Sequence, residues 1–178
     1  YHLMGGPNLR WMTMPAKPST GGGSSSSPSG TIVQLVSTQV VGFTTTNGVI
    51  PLDSSPPTSS EGSSFGLTVN LKPQDTANKV YVQGALAGSS GSGAQDVWAL
   101  FLAGSTSAIT AGTNDGITSQ LQILSFLWQA TTVSTATTSY TVRLGSNTAG
   151  TYTLNGQGGA GLFNNKVAST LTVFEVKD

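Results

Sequence analysis

Acid–base and nucleophilic chemistry have little to draw on in this sequence. The chain holds one histidine, His2, and no cysteine. A Ser-His-acid hydrolase needs a histidine poised beside its nucleophile, and His2 stands at the far end of a Gly- and Pro-bearing stretch. Zinc sites take several Cys or His ligands, and disulfide or redox sites take Cys, so both are excluded. Two carboxylates suffice for glycoside hydrolysis, and the candidates are Asp53, Glu61, Asp96, Asp115 and Glu175. None lies in a catalytic motif and each sits in or beside turn-forming residues, so turn or cap duty is the plainer reading. Asn114-Asp115-Gly116 offers oxygens to a calcium ion, and equally spells a tight turn. Gly156-Gln-Gly-Gly-Ala-Gly161 has the glycines of a phosphate loop but neither the following Lys-Ser/Thr nor a helix to present it, and reads as a strand connection. The expectation is a non-enzyme without cofactor or metal.

Binding chemistry is better represented. Trp98, Trp128, Tyr81, Tyr140 and Tyr152, with many Asn, Gln and Thr, could hold a host glycan between ring faces and amides. Trp98 and Trp128 stand in apolar runs, however, so core or subunit-interface duty is the competing reading. Nucleic acid is excluded: Arg10, Lys17, Lys72, Lys79, Arg143, Lys166 and Lys177 are scattered singly and form no basic footprint. Only 8% of residues are charged, seven basic against seven acidic. A surface of that kind is rich in hydroxyls and amides, and zero net charge favours association with neighbours. No apolar run approaches the ~20 residues of a membrane span.

The elements that must position these groups read as one all-β domain behind an arm. Residues 1–19 mix Leu9, Arg10, Trp11, Met12 and Met14 with three prolines and no period. By composition this is either a disordered tail or an extended docking arm whose Trp and Met are adaptable contact residues. Residues 20–30 form a Gly/Ser-rich linker, and residues 31–178 form the domain. There, short β-branched and aromatic runs alternate with turn residues, as in a two-sheet antiparallel sandwich. Phe65, Leu67, Val69 and Leu71 share one face of a strand, and residues 140–144 alternate likewise. Further strands are expected over 32–36, 40–45, 79–87, 97–103, 120–130, 151–154 and 170–176. In the 120–129 stretch Leu121, Leu124, Ser125 and Trp128 also fit helical spacing, but the flanks carry no good helix former besides Ala, so a strand is expected.

Several strands are apolar on both faces. Trp98, Leu100 and Leu102 oppose Ala99, Phe101 and Ala103; Ile123 and Leu127 oppose Leu124, Phe126 and Trp128; Leu171 and Val173 oppose Phe174 and Val176. A strand of a free sandwich shows one side to water. Trp98, Phe101, Leu124, Phe126, Trp128, Phe174 and Val176 are therefore candidates for subunit interface or core. The cover on the second face is either a neighbouring subunit or a loop folding back, such as residues 53–64.

Three stretches read in order resemble a known family. They are Ile50-Pro51 leading through Ser59-Ser60-Glu61-Gly62 into Phe65-Gly-Leu-Thr-Val; then Leu71-Lys-Pro-Gln-Asp-Thr-Ala-Asn-Lys-Val80; then Arg143-Leu-Gly-Ser-Asn-Thr-Ala-Gly150-Thr-Tyr-Thr-Leu-Asn155-Gly156 with Ala168-Ser-Thr-Leu-Thr-Val-Phe-Glu-Val176. Together they resemble the C-terminal β-sandwich domains of tailed-bacteriophage head-decoration and tail-fibre appendage proteins. The resemblance covers most of residues 31–178 and does not reach the arm. It implies a jelly-roll-like sandwich, usually a homotrimer, on the virion surface, and implies no activity. On this reading the arm docks on the major capsid protein or another virion protein. The alternative is a glycan- or receptor-binding tip of a tail fibre. Arm and linker together reach at most about 100 Å, which favours decoration over a long fibre. Gly62, Gly150 and Gly156 are placed where turns call for positive φ, and Glu61 and Glu175 where backbone or Arg143 hydrogen bonds could meet them.

Overall fold

Period-two alternation builds two facing layers. In a computed structural model, which describes residues 28–178 apart from 92, 115–119 and 131–132, twelve strands form. They are β1 (Ile32–Val41), β2 (Thr44–Thr46), β3 (Thr68–Leu71), β4 (Lys79–Ser90), β5 (Asp96–Leu102), β6 (Thr110–Asn114), β7 (Gln122–Gln129), β8 (Thr138–Ser146), β9 (Tyr152–Leu154), β10 (Gly156–Gln157), β11 (Ala160–Gly161) and β12 (Ala168–Val176). A single 3-10 turn at Phe163–Asn165 precedes β12. One sheet runs β1-β12-β4, with β7 on the other edge of β4, and β9 and β2 carry it on past the start of β12; the second runs β3-β8-β5-β6. Numbering the eight principal strands in chain order gives 1-8-3-6 facing 2-7-4-5. That is the order of a jelly roll, two Greek keys folded into one antiparallel sandwich.

The core lies between the layers. Leu67, Val69, Leu71, Trp98, Leu100, Tyr140, Val142 and Leu144 face Val80, Val82, Leu86, Leu124, Leu154, Leu171 and Val173 across it. Each fully buried aliphatic side chain contributes roughly 1.5–3 kcal/mol. Phe126 from β7 stacks on Trp98 from β5, with ring centroids 4.1 Å apart and planes 11° from parallel. Gly84 makes room for that ring, since a Cβ there would overlap Phe126.

Where sequence and structure differ, tertiary pairing is the reason. The 32–36 run joins the start of the 40–45 run in one strand, β1, because Ser37, Thr38 and Gln39 pair with Thr172, Leu171 and Thr170 of β12, while Thr44 and Thr45 leave it for β2, paired with β9. Phe65 reaches the core from a turn at φ 52° rather than from β3. β6 has no apolar alternation to announce it and forms by pairing with residues 96–100 of β5. The 120–129 stretch is a strand, bound along residues 81–88 of β4. The glycine-rich 156–161 stretch is a miniature hairpin, β10 and β11, whose turn glycines Gly158 and Gly159 both take positive φ. Gly62 also has positive φ, whereas Gly150 and Gly156 do not, and Gly156 instead meets the Ala160 carbonyl too closely for a side chain.

β4 outlasts β12, and β9 takes over its edge beyond Gly88. At that handover sits Asn155, fully buried at φ 53°. Its amide nitrogen donates to the carbonyls of Val40 (2.8 Å) and Gly42 (3.0 Å). Its Oδ1 accepts the Ser169 hydroxyl at 2.7 Å, whose oxygen accepts the Ala87 N–H at 2.9 Å. Asn155 N–H donates to the Ala87 carbonyl at 2.8 Å. Asn155→Ala strands three partners and keeps the left-handed backbone, so it should cost about 2–4 kcal/mol. The urea midpoint should fall with an unchanged slope, and Asn155→Gly should lose less because it relieves the backbone. An Asn155→Ala midpoint equal to the parent's would refute the role.

Candidate contact surface

The carboxylates serve the backbone. Asp53 Oδ1 accepts the Ser55 N–H at 2.8 Å, and Glu61 Oε2 accepts the Thr58 N–H at 2.8 Å. Glu175, buried near the end of β12, gathers the loop between β3 and β4. Its carboxylate accepts the Gln74 N–H at 2.8 and 3.0 Å, the Asp75 N–H at 3.3 Å and the Asn78 side-chain amide at 2.6 Å. Arg143 donates to the backbone carbonyls of Glu61 and Gly62 rather than to a carboxylate. Asp115 and Gly116 lie outside the described residues. Among the described residues no three His, Cys, Asp or Glu side chains cluster as a metal site would need, and the ion pair seen is exposed, Lys79 with Asp178. No helix among them is long and apolar enough to cross a membrane.

Asp96 is the exception. It is buried where β5 begins, opposite Ser146 of β8 in register, and neither carboxyl oxygen receives a hydrogen bond of good geometry. The Ser146 and Tyr152 hydroxyls are likewise buried without partners. Burial pushes the Asp96 carboxyl up, with the Ser90 hydroxyl and N–H opposing. Burial, reinforced by the Asp96 charge, holds the Tyr152 phenol well above its ordinary value. Neither residue's solitude was readable from sequence, because the register that places Asp96 inward depends on β6 and β8.

The candidate interface residues fall into separate places. Trp98 and Leu124 are core, and Phe126 packs against them. Phe101 is on the outward side of β5, yet buried with Val97, Ala99 and Ile50. The chain's own loop supplies that cover. It leaves the β8 edge at Ile50, whose N–H donates to the Ser146 carbonyl, and crosses to Pro57, whose carbonyl accepts from Ala108. Trp128 is half-buried, inclined to Tyr140 at 6.4 Å between centroids. Phe174 and Val176 are half-buried on the outward face of the larger sheet, Phe174 stacked on Tyr81 at 5.4 Å. Leu9, Arg10, Trp11, Met12 and Met14 lie outside the described residues.

That outward face is the distinctive surface. Its register rows run Leu35–Phe174–Tyr81–Gln129, Ser37–Thr172–Gln83–Leu127, Gln39–Thr170–Ala85–Ser125 and Val41–Ala168, with Ala87–Ile123 beyond. These rows hold no charged side chain, and the row at the sheet's end, Ile32–Val176–Lys79, adds Lys79, which pairs with Asp178. Ile123 and Leu127 are 62% and 64% exposed, and Ile32, Leu35 and Val41 more than half exposed. A cleft of about 520 Å³ opens at one end of the sandwich, lined by Pro73, Leu102, Ile109, Trp128, Val133 and Tyr140 among others.

No family model matches the chain, and no curated protein matches it.

Asp96 makes stability depend on pH in a definite direction. A carboxyl whose folded value is raised keeps its proton longer in the folded state, so its contribution is greatest below the unfolded value and declines as pH climbs through the folded one. Asp96→Asn should therefore melt higher than the parent at pH 8, with the difference shrinking towards pH 4. Thermal denaturation across that range checks this, and a constant difference would refute it.

Proposed function

We propose that this chain is a structural surface protein of a bacteriophage virion, a trimeric capsid-decoration or short head-fibre protein anchored through its N-terminal arm. The observation that carries the reading is the half-apolar outward face of the larger sheet, whose one row with a charge, Ile32–Val176–Lys79, has its lysine paired with Asp178. Large apolar side chains left exposed at the margins of a face otherwise built of hydroxyls and amides mark a protein contact. Its two apolar margins lie on opposite edge strands, Ile123 and Leu127 on β7, Ile32 and Leu35 on β1. Unlike margins meeting head to tail make a heterologous contact, the kind that closes into rings such as trimers. The jelly-roll strand order agrees with what the family resemblance implies, and we assign the chain no reaction.

The glycan- or receptor-binding tip finds less support. Trp98 is covered by Phe126, and the cleft beside Trp128 is lined by hydroxyls and apolar groups. Among the described residues lining the cleft no Asn or Gln stands beside the rings to meet sugar hydroxyls.

Mass measurement of the full chain at micromolar concentration should give a trimer, and the Ile123→Lys/Leu127→Lys double variant a folded monomer. A monomeric parent would overturn the trimer. Removing residues 1–30 should release the protein from particles while the domain stays folded, and retention would overturn the anchoring role.

A further inference from the structure

The cleft beside Trp128 is uncharged, of a size that takes one bulky side chain with neighbours, and it lies at the pole where the chain enters the domain. Gly30 N–H donates to the Lys177 carbonyl at 2.7 Å and Lys177 N–H to the Thr31 carbonyl at 2.9 Å, so the β1–β12 pair extends to that pole. The Gln74 side chain, one residue past the cleft wall at Pro73, approaches the Val33 carbonyl at 3.5 Å. From β1 the sheet steps through β12 and β4 to β7, whose end forms the cleft wall at Trp128. Three strand spacings of about 4.8 Å make that roughly 15 Å.

The chain ahead of the domain carries Leu9, Trp11, Met12 and Met14, apolar groups of the kind this cleft would accept, 14 to 19 residues before Pro28. A Gly/Ser-rich coil of that length has a root-mean-square span of roughly 19–26 Å, which covers the distance. We propose that the 9–14 segment seats in the cleft of its own domain, with the Trp11 indole as anchor against Trp128 and Tyr140. At the millimolar effective concentration of a short flexible tether, a contact with a Kd of about 100 μM is closed about nine-tenths of the time. The same side chains cannot occupy the cleft and a partner at once, so arm docking on any partner first requires release from the cleft. This seat does not depend on what particle the chain serves.

Backbone-amide NMR of the full chain against full-length Trp11→Ser tests it. The expected result is a set of shift changes at Leu102, Ile109, Val133, Ser134 and Tyr140, unchanged on dilution. A full-length Val133→Lys variant should move the Trp11 indole N–H to its solvent-exposed position. Unmoved cleft amides in Trp11→Ser would overturn the proposal. So would recovery of the parent shifts when labelled Trp11→Ser is co-assembled with unlabelled parent, because that places the arm in a neighbouring copy. The oligomeric mass of the parent does not enter either readout, so this seat and the trimer can fail separately.

Discussion

Asn155 ties four strands at one buried point. β9 ends at it, β1 and β12 meet its side-chain amide, and β4 meets its backbone N–H and the Ser169 hydroxyl. A sheet can change partners along one long strand only if the orphaned donors and acceptors at the changeover are met. β4 makes such a changeover from β12 to β9, where the Asn155 backbone N–H meets the Ala87 carbonyl and the Ser169 hydroxyl, held by the Asn155 side chain, meets the Ala87 N–H. The left-handed backbone that Asn tolerates better than most residues then turns the chain into the β10–β11 hairpin. The junction adds to the three-residue pairing of β9 with β4, on which β2 in turn rests.

The parts of the fold carried by side-chain alternation were legible. Leu67, Val69, Leu71, Tyr140, Val142 and Leu144 announce their inward face by spacing alone, and the doubly apolar text of β5 announces that both its faces are covered. What covers them was less legible, because a sequence does not distinguish a neighbour from a returning loop. For Phe101 the cover is Ile50, contributed by a loop held on backbone hydrogen bonds that leave no compositional trace. β6 and the unbroken course of β1 were hidden for a related reason: Thr, Ser and Gln at strand positions look like turn residues until their partner strand is known. Asp96 and Asn155 were the least legible, since each depends on register across strands distant in sequence.

The few charged groups are spent on holding loops. Glu175 organises the β3–β4 connection, Asp53 and Glu61 brace the loop over β5, and Arg143 pins that loop's end from the sheet beneath. With most charge engaged in fixing local backbone, the outward sheet face offers chiefly methyl groups, aromatic rings, hydroxyls and the amides of Gln39, Gln83 and Gln129. Recognition on such a face rests on fit, which suits a repeated contact with an identical or fixed partner.

The exposed pairing of Lys79 with Asp178 is the ion pair seen among the described residues, and this bears on kinetics and medium. Proteins whose encounters are steered by charge associate fast in dilute buffer and slow as ions accumulate. A face whose lysine, Lys79, is already paired gains little of that acceleration, so encounters on the proposed contact proceed near the unsteered pace of about 10⁵–10⁶ M⁻¹s⁻¹. In exchange, a contact resting on apolar groups is not weakened by salt, and strongly hydrated salts such as sulfate strengthen it.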